Sequence, residues 1–392
     1  MNEPRYAWVV VAGAFFSLAV IFGVAYSFAA FFASFANEFA ARRADVSLVF
    51  GLSGLIYFVL GAGGGMLSDR FGPRAVCSAG MLFIAAGLAA TSFAGSLTMV
   101  YLAYGVGIGV GIALVYTPSI GCVQPWFTHR RGLAAGIASA GIGAGTVVIP
   151  LLAASAIAAF EWSGALRAMA VGVLLVGVSA TFVLRHAPLT RTAKGAMPGV
   201  RLADALRSPR FRWLYLMAFT SGPAMFIPFA HASAAARDIG IADARAVGLV
   251  GLIGIGSLVG RFVIGALADR LGRALTLTLM QASMGASYLL WGAAGGYPSF
   301  ALFALWFGLS YGGIVSLMPA ICMDMFGARA VSSIIGVLYT GAALGCLLGP
   351  VVAGAVFDRV GNYTPVIWSC VVLTAVATAA SARLIASREP AY

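Results

Sequence analysis

The chain has 392 residues, of which 61% are hydrophobic and 9% charged, whereas a soluble globular domain carries about a quarter charged residues. Water is therefore not its main solvent. Its 24 Lys and Arg outnumber 12 Asp and Glu for a net charge of +12, but the basic residues are scattered between apolar runs rather than gathered on one face, which argues against a nucleic-acid surface.

Taken in order, the apolar runs repeatedly exceed eighteen residues, the length at which a helix rising about 1.5 Å per residue crosses about 30 Å of hydrocarbon. The alternating ten-residue segments of a membrane barrel do not occur. The first run, about 7–35, is far longer than a signal-peptide core and is expected to stay as the first helix. Cutting at charges, Pro and Gly gives further spans near 46–67, 75–93, 97–123, 133–160, 165–184, 212–236, 246–268, 274–294, 300–323, 331–357 and 365–385. The expected class is an all-α membrane protein of twelve transmembrane helices. The stretch 185–212 is the one long hydrophilic connection and holds seven basic residues. It divides the chain into an N-terminal six-helix half (1–186), a central loop (187–211) and a C-terminal six-helix half (212–392).

Five cysteines, Cys77, Cys122, Cys322, Cys346 and Cys370, lie in or at the ends of apolar runs without paired spacing. They read as small packing residues, and neither a disulfide framework, a metal site nor a cofactor is expected. Glycine strings such as Gly141, Gly143, Gly145 and Gly341, Gly345, Gly349 follow no strand, so they are not nucleotide loops. They allow close helix approach, or bending together with Pro150 and Pro350.

With the N-terminus inside, the segments on that side hold 17 of the 24 Lys and Arg and the opposite segments 6. The excess marks the cytoplasmic side, so both termini and the central loop are expected inside a bacterial-type inner (plasma) membrane. The halves also repeat: Gly65-Met-Leu-Ser-Asp69-Arg70-Phe-Gly72 recurs 200 residues later as Gly265-Ala-Leu-Ala-Asp269-Arg270-Leu-Gly272. This doubled G-x-x-x-D-R-x-G pattern, at the ends of the second and eighth spans, resembles the signature of the major facilitator superfamily across essentially the whole chain. The resemblance implies two pseudo-symmetric halves that rock about a central site. The Asp of the pattern then faces a neighbouring helix N-terminus, here that of the eleventh span near Ser332 and Ser333, where negative charge is favoured; alternatively the four charged residues only terminate helices and fix topology.

One basic residue remains after the loops are counted, Arg261, eight residues before Asp269 and so about 12 Å up the eighth helix. All 12 acidic residues fall outside the span cores. A cation at that depth costs several kcal/mol unless something compensates it. Either neighbouring carbonyls do so, or the compensating anion arrives as substrate. Tyr116, Tyr311 and Tyr339 lie at comparable depth in the fourth, tenth and eleventh spans, and a phenol can donate to a carboxylate while its ring lines an apolar wall. Tyr26 and His231 are candidates from the outer half.

The stretch from His231 to Gly272 resembles the monocarboxylate porter and oxalate/formate antiporter branch of the superfamily. That branch places a substrate-binding arginine at the position of Arg261, with tyrosines of helices four, ten and eleven around the anion. Here Ser257 stands where animal monocarboxylate porters have an Asp one turn before the arginine, the single lysine is Lys194 in the central loop, and the second cation of the oxalate exchanger is missing. The resemblance implies a secondary active transporter of a small organic anion, a monocarboxylate in view of the single cation, by proton symport or anion exchange. A proton carrier would be His231 or the substrate's own carboxyl. A monomer in the lipid bilayer is expected, without nucleic acid and without catalysis. The competing expectations are an exporter of drugs or neutral solutes and a non-transporting sensor; cationic-drug exporters tend to hold an acid in the cavity, and a sensor normally appends a signalling domain.

Overall fold

The computed structural model describes residues 4–127, 131–186, 199–327 and 331–386, and within these the side chains at 62, 69, 124, 131–133, 266, 269 and 331–333, Asp69, Asp269, Ser332 and Ser333 among them, are outside the described set. The expected contact of Asp69 with the start of the eleventh span therefore lies outside the described residues.

The described chain is almost wholly helical: α1 (Arg5–Glu38), α2 (Arg43–Phe71), α3 (Pro73–Thr91), α4 (Leu97–Val123), α5 (131–160), α6 (162–181), a short α7 (Leu202–Arg207), α8 (Pro209–Asp238), α9 (Asp243–Leu271), α10 (Arg273–Gly292), α11 (Tyr297–Phe326), α12 (Val331–Val360) and α13 (Thr364–Ala386). Ten helical stretches are long and apolar enough to cross a membrane. One of these, Ala134–Thr181, is α5 and α6 joined at Glu161, whose φ of 58° and ψ of 176° break the helix. The polar α10, with Thr276, Gln281 and Ser287 buried, is not among the ten but packs between α11 and α13.

Two differences from the expected spans have local causes. The segment before the seventh span is not all loop: α7 forms within it, and Val200 N–H donates to the Phe326 carbonyl at 2.9 Å. The next helix starts at Pro209, ahead of residue 212, because the Ser208 hydroxyl accepts from Phe211 N–H at 3.1 Å and proline suits the first helical position.

The repeat is visible in three dimensions. Both copies of the G-x-x-x-D-R-x-G pattern end on a glycine with positive φ, Gly72 at 86° and Gly272 at 90°, which stops α2 and α9 and lets α3 and α10 start at once. Between the halves, α2 packs on α12 and α5 on α9, pairs exchanged by the 200-residue shift. All five cysteines are buried free thiols.

Within each half the glycine strings find corresponding partners. A Cβ on Gly145 would collide with the Ala19 backbone of α1, and one on Gly345 with the Gly222 and Pro223 backbone of α8. Backbones meet there without intervening side chains, so added bulk cannot be absorbed by a rotamer change. Gly345→Val is expected to cost about 1–3 kcal/mol by overpacking, read as a lowered melting temperature of the detergent-purified protein. Gly172→Val is its control: that glycine is exposed, with nothing within 4 Å of an added Cβ, and should melt like the parent.

Candidate functional site

A cavity lies between the halves, walled by Phe22 of α1, Tyr57 and Phe58 of α2, Tyr116 of α4 and Ile142 of α5 on one side. Ser221 and Met225 of α8, Arg261 of α9, Tyr311 of α11 and Tyr339 of α12 face them. Its volume of about 60 Å³ holds about four to six water-sized positions at about 10–15 Å³ apiece, the scale of a small organic solute.

Arg261 reaches this wall because α9 lies unusually close to α11. A Cβ on Gly260 would strike the Leu309 backbone, and one on Gly312 would lie 2.7 Å from Ser257 Cα. This small-residue seam sets Arg261 beside Tyr311, the residue preceding Gly312, without a bulky side chain between them. Aromatic edges fix the opposite wall: Phe22 meets Tyr116 at 5.2 Å between centroids, Tyr57 lies 4.2 Å from Phe58, and Phe58 lies 5.7 Å from Tyr339.

The polar groups of this cavity are underused. Arg261 Nε and Nη2 are buried without a hydrogen-bond partner among the described residues, and no described carboxylate forms an ion pair with the guanidinium. The alternative in which neighbouring carbonyls satisfy these donors therefore has no described contact behind it. The hydroxyls of Tyr57, Tyr116 and Tyr339 likewise have no hydrogen-bond partner among the described residues. The Ser221 hydroxyl finds only the thioether of Met225 at 3.8 Å, a weak acceptor. An apolar chamber with several unpaired donors around one guanidinium is suited chemically to an anion that accepts several hydrogen bonds.

The residues singled out from sequence separate into two groups. Arg261, Tyr116, Tyr311 and Tyr339 line the one cavity. Tyr26, Ser257 and His231 do not. Tyr26 stands one layer behind, its hydroxyl 3.1 Å from that of Tyr311 and its ring stacked on Phe229 at 4.1 Å. Ser257, one turn before Arg261, is buried against α11 with its hydroxyl unpartnered among the described residues. His231 sits nearer the end of the bundle away from the termini, bonded to Ser47, Pro350 and Tyr363. A position expected to touch substrate thus becomes part of a contact between the halves, because it lies ten residues beyond Ser221 on α8, about 15 Å along the axis.

Tyr57 and Ser221 are wall residues that the sequence reading passed over. For Tyr57 a signal existed: twelve residues before Asp69 it lies about 18 Å from the same boundary, the depth of the other tyrosines. Ser221, a small hydroxyl among many, carries none.

Comparison with known proteins agrees with this architecture. The model of the Major Facilitator Superfamily matches residues 14–350 and, in a second match, 225–391. Monocarboxylate transporter 13 of Bos taurus is 31% identical over 366 residues, covering 92% of this chain and 85% of that one. Monocarboxylate transporter 3 of Rattus norvegicus is 31% identical over 92% of this chain and 76% of its own length. Among solved structures, a bacterial homologue of the human lysosomal transporter Spinster, inward-facing and unoccupied, superposes with a TM-score of 0.75 at 16% identity, covering 99% of this chain and 100% of that one. The helical repeat, the interhalf cavity and these matches lead to one assignment: the chain belongs to the major facilitator superfamily of membrane transporters and resembles its monocarboxylate porter branch.

Proposed function

We propose that this transporter carries a small organic anion, with monocarboxylates as its first substrate class, by alternating access of residues 1–186 and 212–392 about the Arg261 cavity. The observation that carries the reading is the pair of buried, partnerless guanidinium nitrogens of Arg261 in a wall of apolar and phenolic groups. A carboxylate there satisfies the cation and accepts from the tyrosine hydroxyls of both halves, so its binding draws the halves together. The names of the monocarboxylate transporter relatives support the same class. The positive-inside excess supports cytoplasmic termini, the proposed location is a bacterial-type inner membrane, and one chain holds the whole cavity, so a monomer suffices. His231 lies away from the cavity, so a proton that is bound together with the substrate rides on the substrate's own carboxyl, with exchange of one anion for another as the other coupling mode.

Replacing Arg261 tests the reading directly. A hydrogen bond to a charged partner contributes about 1.5–3 kcal/mol, so Arg261→Ala should weaken binding of a transported monocarboxylate roughly 10- to 100-fold while the protein still reaches the membrane. Arg261→Lys keeps the charge but loses the planar fork and should also transport poorly. Uptake by Arg261→Ala at the parental rate, in reconstituted vesicles with matched protein content, would sink the proposal.

Charge selectivity gives a second measurement. One cation neutralises one carboxylate, and a second buried charge without a partner costs several kcal/mol. A small monocarboxylate should therefore outcompete its dicarboxylate analogue of matched length at pH 8, where both groups of the latter are ionised. Stronger competition by the dicarboxylate would reveal a second cation or a solvated site.

A further inference from the structure

At the end of the bundle away from the termini the halves are joined by one continuous polar cluster. From the first half, Arg43 at the start of α2 extends its guanidinium to Asp238 at the end of α8 and to the Tyr363 hydroxyl before α13, and lies 3.8 Å over the Phe357 ring. From the second half, Asp358 of α12 accepts from the backbone N–H of Arg43 at 3.1 Å and of Ala44 at 3.0 Å. The Asp358 carboxylate thus closes the N-terminus of a helix that belongs to the other half. The approach is close: a Cβ on Gly354 would lie 2.6 Å from the Ala44 nitrogen.

His231 is the buried end of this cluster, and its partners dictate where its proton sits. The Pro350 carbonyl, 2.8 Å from Nε2, can only accept, so Nε2 carries the hydrogen. Ser47 donates its hydroxyl to the Arg43 carbonyl at 2.6 Å, so its oxygen, 3.0 Å from Nε2, is an acceptor as well. On the other side Tyr363 already accepts from Arg43 Nη1 at 2.8 Å, so its own O–H points to Nδ1 at 2.9 Å. The chain runs in one direction, from the guanidinium through phenol and imidazole to carbonyl, and has room for one ring proton.

We propose that this cluster is a gate between the halves that acid opens by adding a second proton to His231. A proton on Nδ1 meets the Tyr363 O–H head on and removes its acceptor. The resulting imidazolium has no carboxylate to turn to. The titratable and charged groups around it are Arg43 on α2, Asp238 on α8 itself, Asp358 on α12 and Tyr363 before α13, while α1 presents the Phe32 ring 5.5 Å away. Asp238 is held by Arg43 and Asp358 by the start of α2, and neither forms an ion pair with His231. A second cation, fully buried beside Arg43, is relieved only when the halves part and water enters. In the parted form water reaches the ring, so only that form gains stability from the second proton as the pH falls. The ratio of parted to joined molecules should then rise about tenfold between pH 7.5 and pH 5.5. The gate rests on the alternating-access part of the proposed function but not on the substrate's identity.

The test uses the full chain in lipid nanodiscs with spin labels on Asn37→Cys and Ile239→Cys, exposed positions at this end in opposite halves; the native thiols are all buried. Pulsed electron paramagnetic resonance should show the longer-distance population growing about tenfold relative to the shorter one over that pH interval. In His231→Gln, which donates to a carbonyl but cannot take the second proton, the populations should not respond to pH. Tyr363→Phe lets Nδ1 take the second proton in the joined form as well and should shrink the pH response, a check that holds if the glutamine variant does not fold. Identical distances at both pH values in the parent, acid opening that persists in His231→Gln, or an undiminished pH response in Tyr363→Phe each overturn the proposal. Opening by a monocarboxylate but not by acid defeats the gate and leaves the transport reading standing, whereas a single distance under every condition defeats both.

Discussion

The organising constraint is a guanidinium held in an apolar bundle without a described protein acceptor for two of its nitrogens. Such a group raises the free energy of the empty protein, and its neighbours intensify the demand rather than meet it. The glycine seam between α9 and α11 brings Arg261 to the wall, and the facing surfaces are aromatic rings rather than carboxylates. A ligand shifts a conformational equilibrium only through different affinities for the two states. An anion seated between Arg261 of one half and Tyr57 and Tyr116 of the other has that difference built in, because its contacts are complete only when both walls close on it.

Much of this was legible in the sequence because membrane burial imposes simple rules. Hydropathy placed the spans, and positive-inside counting gave an expected orientation. The shift of 200 residues between Asp69 and Asp269 pointed to a repeat that α2 and α9 display in their matching glycine ends. Arg261 emerged by elimination, since each other cation has a loop or helix end to occupy. The helix ends moved by only a few residues, and at Ser208 and Pro209 a cap accounts for the shift.

What stayed hidden depends on azimuth and on pairing across the fold. Depth along a helix follows from residue count, but the side of the helix does not when the apolar pattern runs all round, and α9 shows no clear apolar stripe. Thus Ser257 and Arg261, one turn apart, meet a packed helix and an open cavity respectively. The cluster at Arg43 joins residues 195 and 315 positions apart, and nothing local in Arg42-Arg43-Ala44 announces either partner. The polar α10 shows the converse: its serines and threonines bond back to their own helix or across to Ser310, so a segment of low hydropathy still packs among membrane helices.

Between the cavity and the Arg43 cluster lies an aromatic layer. Tyr26 stacks on Phe229, Phe229 meets Tyr311 at 5.2 Å, and Phe307 stacks on Tyr311 at 6.2 Å. Tyr26 and Tyr311 belong to different halves, and their shared hydroxyl contact at 3.1 Å is the last polar link on the cavity side, while His231 begins the polar chain on the other. No described charged side chain spans this layer, so Arg261 and His231 do not exchange protons or neutralise one another directly. Any influence of one on the other must pass through the relative position of the halves, which both sites contact. In the proposed transport cycle, substrate charge and proton charge then act on one mechanical coordinate from separate places, so that a transporter without a carboxylate in its span cores would respond to pH without putting a proton-binding side chain in its substrate cavity.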